Sequence, residues 1–94
     1  MCRKKMLWLS MDKEVEALVI LMEECGELTQ ACSKYLRKQT GPRKREIKQI
    51  IEEAGDVLAL IVTVVEAGLI DEQRLMKRVV DKQEKLKKFS NLYE

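Results

Sequence analysis

Three stretches of the chain carry apolar residues at helical spacing, separated by short breaks. The first spans about 10–38. Its stripe is Val15, Leu18, Met22, Cys25, Leu28 or Thr29, Cys32 and Leu36. Between 17 and 22 every residue is apolar, so this helix is expected to be covered on more than one side. Ser10 is placed to cap it, with Asp12 and Glu14 favourable in the first turn. Gln39-Thr40-Gly41-Pro42 forms the first break, with Pro42 suited to open the next helix. The second helix is predicted over about 43–67. It begins basic (Arg43, Lys44, Arg45, Lys48) and ends almost wholly apolar, and Gly68 suits the residue after its C-cap. Asp71 is placed to cap a third helix over about 71–89. Leu75 or Met76, Val79 or Val80, Leu86 and Phe89 give it one apolar stripe.

This pattern predicts an all-α fold: an antiparallel bundle of three main helices per chain, in one domain over 1–94. One Pro, four Gly and few aromatic residues agree with it. Three helices, two with stretches apolar all round, are hard to cover within one small chain. The expectation is a homodimer or homotetramer in which the first two helices of each copy share a bundle.

Charge and composition narrow the functional classes. Eighteen basic and sixteen acidic residues leave a net charge of +2. That balance argues against a dedicated nucleic-acid binder. The longest apolar run, 57–65, is too short to span a membrane, and Met6-Leu7-Trp8-Leu9 is too short for a signal-peptide core. Three cysteines do not make a disulfide framework. Cys25 and Cys32 lie about 10 Å apart along one helix and do not bridge there. They are read as reduced core residues in a cytoplasmic protein. The chain has no His. This excludes Ser-His-Asp and Cys-His nucleophilic sites and His-ligated zinc. It also disfavours a di-iron bundle built on Glu-x-x-His. An oxygen-only site for a hard cation remains open.

The candidate chemistry lies in a near-repeat. Glu23-Glu24-Cys25-Gly26-Glu27-Leu28 returns 29 positions later as Glu52-Glu53-Ala54-Gly55-Asp56-Val57. On helices, Glu24 and Glu27 share a face, as do Glu53 and Asp56. A lone acidic pair is more often a solvated face than a ligand set. Here the flanks are apolar, and no Lys or Arg stands three or four residues from any of the four acids. A carboxylate buried without a partner costs several kcal/mol. Gly26 and Gly55 hold matched places in the two motifs, which predicts close helix approach beside them. Two such helices side by side would gather four carboxylates, an arrangement a divalent cation relieves.

At these residues the sequence resembles the MazG-like family of all-α nucleoside triphosphate pyrophosphohydrolases. That family carries Glu-x-x-Glu on one helix and Glu-x-x-Asp on the next. The resemblance extends through Glu23, Cys25, Ser33-Lys34 and Leu36-Arg37 to Lys82, Lys85 and Phe89, about 15–90 in all. It implies that Glu24, Glu27, Glu53 and Asp56 are the catalytic and metal-binding residues. Mg²⁺ would be the cofactor, with Mn²⁺ able to replace it, and Glu23 and Glu52 would lie in the layer around the ligands. It implies hydrolysis of a nucleoside triphosphate between the α- and β-phosphates, giving monophosphate and pyrophosphate. Related dUTP, dCTP and phosphoribosyl-ATP enzymes share the paired motif. The last usually has a Lys shortly before the first pair, where this chain has Ile20, Leu21 and Met22.

Basic residues supply candidates for the phosphates. Arg78, Lys82 and Lys85 share a face of the third helix, and Lys34, Arg37 and Lys38 cluster near the end of the first. Lys34, Arg37, Lys82 and Lys85 are taken as phosphate-binding candidates, against the plainer reading of solvated basic faces. The run Arg43-Lys44-Arg45 is read as surface. Trp8, Tyr35 and Phe89 are able to stack on a base, although core packing suits Tyr35 and Phe89 better. Two other functions compete: a non-catalytic helical interaction module, and a small nucleic-acid-binding dimer using the basic faces.

Overall fold

The computed structural model describes residues 12–93. It is all-helical, with α1 at Lys13–Arg37, α2 at Lys44–Glu66 and α3 at Glu72–Phe89, and no strand among the described residues.

The helix ends follow local chemistry. The α1 cap is Asp12 and not Ser10, which lies outside the described residues. The Asp12 carboxylate accepts a hydrogen bond from the Val15 N–H at 2.9 Å. A carboxylate also suits the positive end of the helix dipole better than a hydroxyl. Pro42 does not open α2. Arg43 is its cap residue, with non-helical backbone (φ −111°, ψ 27°), and the helix starts at Lys44.

Arg43 also corrects the reading of its run as surface. Its guanidinium stacks over the Tyr35 ring, 4.8 Å from the centroid, and donates to the carbonyl oxygens of Tyr35 and Lys38. Those carbonyls end α1 and lack helical donors. Lys38 pairs with Glu46 at 3.3 Å across the same link. Together these contacts set α2 against α1.

At the far end of α2, the Gly68 N–H donates to Val65 and the Leu69 N–H to Val64. Gly68 has φ +81°. This is a Schellman ending, and its left-handed residue favours glycine. Replacing Gly68 with Ala is expected to cost about 1–2 kcal/mol, read as a lower urea midpoint with unchanged slope. An unchanged midpoint would show that this link does not depend on the left-handed residue. Asp71 caps α3, accepting from the Arg74 N–H at 2.9 Å.

Packing is concentrated between α1 and α2. Val64 is fully buried, and Ala17 and Ala31 are nearly so. Ile20, Leu21, Leu28 and Tyr35 of α1, with Ile50, Val57, Leu60 and Ile61 of α2, are half-buried around them. The α1 stripe read from sequence is a different one, and it is mostly open. Val15, Leu18, Met22 (72% exposed) and Leu36 (76%) face outward, as do Thr29 and both Cys25 and Cys32. The two cysteines are therefore not core residues. Apolar residues surround much of α1, so periodicity alone did not separate the face that meets α2 from the face beside it. Phe89, expected in the core, is 83% exposed, because α3 makes little contact with the other helices.

The matched glycines do not mark close approach. A Cβ on Gly26 or Gly55 would meet nothing within 4 Å. At 100° per residue each lies on the back of its helix, turned away from the α1–α2 contact.

Candidate functional site

The α1–α2 contact is apolar along most of its length and acidic at one level. Glu24 stands between Ala17 and Ala31 on the buried side of α1, and Glu53 between Glu46 and Leu60 on the facing side of α2. Helical spacing therefore aims both carboxylates into the contact, with Glu27 one turn on from Glu24. One carboxylate oxygen each from Glu24, Glu27 and Glu53 lies within 4.8 Å of the others. Oε2 of Glu24 and Oε2 of Glu53 are sealed from solvent, and the latter has no hydrogen-bond partner.

The electrostatic consequence falls on Glu53, whose carboxyl is pushed up to about 7. The largest cause is a hydrogen bond with the Glu27 carboxyl, which needs a proton between the two groups. Burial follows, then the charges of Glu27, Asp56 and Glu24. Asp56 thus acts on the cluster electrostatically while standing exposed outside the close trio.

An open cleft of about 230 Å³ adjoins the cluster, lined by Glu27, Gln30, Ala31, Lys34, Gln49, Glu52 and Glu53. Lys34 is the one basic residue of that lining. Glu23 is half-buried on α1. Arg37 is exposed, its Nε donating to the Ser33 carbonyl at 3.4 Å. Lys82 and Lys85 stand exposed on α3 and do not line the cleft. Trp8 lies outside the described residues. Gln30 and Gln49 were not singled out from sequence. The available signal was spacing: Gln30 follows Glu27 by three and Gln49 precedes Glu53 by four, so each shares a face with its acid.

The donor set is chemically suited to a hard divalent cation: carboxylate oxygens from two helices, one of them buried and unsatisfied, beside an open cleft. The family model of the MazG nucleotide pyrophosphohydrolase domain matches residues 13–89. The chain belongs to the MazG nucleotide pyrophosphohydrolase domain family. The match covers all three helices, and thus both acidic motifs and the basic face of α3. Searches of curated proteins and of solved structures returned no significant match. No described helix of this MazG domain is long and apolar enough to cross a membrane.

The raised Glu53 carboxyl makes metal-free stability depend on pH in a definite direction. Its folded value of about 7 exceeds the ordinary value of 4.5. The folded state therefore holds the proton more tightly than the unfolded state. That contribution is complete below about 4.5 and is lost as pH rises through about 7. In chelator, the melting temperature is expected to fall between about pH 5 and about pH 8, and Glu53→Gln should flatten the fall. A wild-type melting temperature that rises over this interval would contradict the geometry.

Proposed function

We propose that the chain is a Mg²⁺-dependent nucleoside triphosphate pyrophosphohydrolase, cleaving ribo- or deoxyribonucleoside triphosphates between the α- and β-phosphates to monophosphate and pyrophosphate. The observation that carries this reading is the meeting of three carboxylates from two helices beside a cleft, in a chain of this family.

Glu24, Glu27 and Glu53 would hold Mg²⁺, or Mn²⁺ in its place, with Asp56 completing the four-carboxylate set. When bound, the cation supplies positive charge that lets a triphosphate approach the carboxylates and makes water easier to deprotonate. The chain's own residues do the rest. Glu27 and Glu53 would hold the cation beside the cleft whose wall they form. The Lys34 ammonium, on the same wall, attracts a phosphate oxygen. A carboxylate of the set takes the proton that the attacking water releases. Glu23 and Glu52 support the ligands from the layer around them. Arg37, Lys82 and Lys85 are the further phosphate-binding candidates. Since the α3 lysines lie outside the cleft, their part would require movement of α3 or supply from another copy.

The assembly proposed with this function is an antiparallel bundle completed by a second copy, as a homodimer or homotetramer. Product analysis tests the reaction. A panel of nucleoside triphosphates with Mg²⁺ should give monophosphate and pyrophosphate in equal amounts. Diphosphate and orthophosphate would place cleavage at the wrong bond and overturn the proposal.

A further inference from the structure

The cleft side of the helix pair changes polarity along its length. On α1 it carries Glu27, Gln30 and Lys34, at spacings of three and four. On α2, counted back toward the turn, it carries Glu52, Gln49 and Arg45 at the same spacings. Residues three, four and seven apart share a helix face, so each series keeps to one wall. Five of the six line the cleft, and Arg45 stands one turn beyond Gln49. Lys38 meets Glu46 and Glu27 meets Glu53 across the contact. The two series therefore run side by side toward the turn that joins the helices. Over about 10 Å the cleft passes from carboxylates, through two neutral amides, to two cations.

The other end has no such cations. No Lys or Arg occurs from 14 to 26 of α1 or from 54 to 66 of α2. Near the turn, most basic side chains are already engaged. Arg43 is held by Tyr35 and two carbonyls, Lys38 pairs with Glu46, and Arg37 donates to Ser33. Lys34 and Arg45 are exposed, and neither side chain makes a hydrogen bond or ion pair among the described residues.

We propose that Arg45, with Lys34, binds the terminal phosphates of the substrate. The triphosphate then lies along the cleft with its β- and γ-phosphates toward the turn and its nucleoside toward the opposite end. This rests on the reaction proposed above and adds Arg45 and a direction to it. The reaction has the same polarity as the cleft. The water oxygen bonds to the α-phosphorus, and the bond from that phosphorus to the bridging oxygen breaks. Its electron pair leaves on pyrophosphate, and a carboxylate takes the water's proton. Negative charge thus grows on the leaving group, where cations stabilise it, while the proton is taken at the acidic end. Gln30 and Gln49 offer neutral N–H donors to the phosphate oxygens between the two ends. The reverse placement would carry the γ-phosphate away from both cations, into the end of the helix pair that has none.

The test measures binding of inorganic tripolyphosphate, with Mg²⁺ present, to the full chain and to its Arg45→Gln and Lys44→Gln variants. Lys44 lies about 100° round the helix from Arg45, so its variant removes the same charge from another face. Tripolyphosphate binding needs no turnover, which keeps this readout separate from the reaction. Arg45→Gln should weaken binding, and raise KM for a nucleoside triphosphate, by about tenfold. Lys44→Gln should leave both near their wild-type values. Equal affinity in the wild type and Arg45→Gln would overturn the assignment. Equal losses in the two variants would also overturn it, since net charge alone would then account for binding, as would a wild type that binds no tripolyphosphate. Arg45-dependent binding in a chain that releases no pyrophosphate would uphold the phosphate site and overturn the proposed reaction. Pyrophosphate release with Arg45-independent binding would do the reverse.

Discussion

Glu27→Gln should lower Mg²⁺-dependent pyrophosphate release by more than about 100-fold while leaving helical content unchanged. Mutating a group in the layer around a metal typically costs 10–100-fold, and the proposal makes Glu27 a direct ligand. Its carboxylate is within 4.8 Å of both Glu24 and Glu53 and lines the cleft wall. The amide keeps the size and the hydrogen-bonding capacity of the side chain and removes the charge that a cation needs. The same loss is expected for Asp56→Asn if Asp56 completes the ligand set. A Glu27→Gln protein with undiminished turnover would remove the cluster from the reaction.

The second large effect is on stability, and its sign depends on metal. Without metal, the hydrogen bond with Glu27, burial and the neighbouring acidic charges push the Glu53 carboxyl up to about 7. Glu53→Gln should therefore raise the melting temperature of the metal-free protein above about pH 7. Adding Mg²⁺ reverses the order. Metal at about 100 times its dissociation constant stabilises a folded protein by about 2.7 kcal/mol. For a domain of this size each kcal/mol moves the melting temperature by about 4–8 °C, so the wild type should gain about 10–20 °C. Glu53→Gln should gain little. A non-catalytic bundle predicts another pattern: the Gln variants would be equal or more stable in every condition, and no nucleotide would bind. Wild-type melting that ignores Mg²⁺ would support that alternative.

The helices and the acidic trio were legible in sequence for different reasons. Helix number and approximate ends follow from local signals, namely Asp71, Gly68 and the Thr40-Gly41-Pro42 break, which act within a few residues of chain. Glu24, Glu27 and Glu53 were legible because they stand near apolar residues without basic neighbours, whereas Asp56, grouped with them by the same pattern, stands exposed outside the trio. The contact face of α1 was not legible. Apolar residues on most of its sides satisfy both the face that meets α2 and the open seam beside it. Only tertiary contact shows that Ala17 and Ala31 are inside while Met22 and Cys25 are outside. Matched glycines misled because identical sequence positions are not equivalent contact positions: Gly26 and Gly55 both turn away from the contact. The role of Arg43 depends on Tyr35 eight residues earlier, a pairing created by the turn between the two helices and absent from either helix alone.

The most direct test of the account is pyrophosphate release by the full chain from a panel of ribo- and deoxyribonucleoside triphosphates, with Mg²⁺ and with chelator. The account predicts release that requires the metal, is restored when it is returned, and ranks the nucleotides by preference. A folded, metal-loaded sample that releases no pyrophosphate from any of them would contradict it.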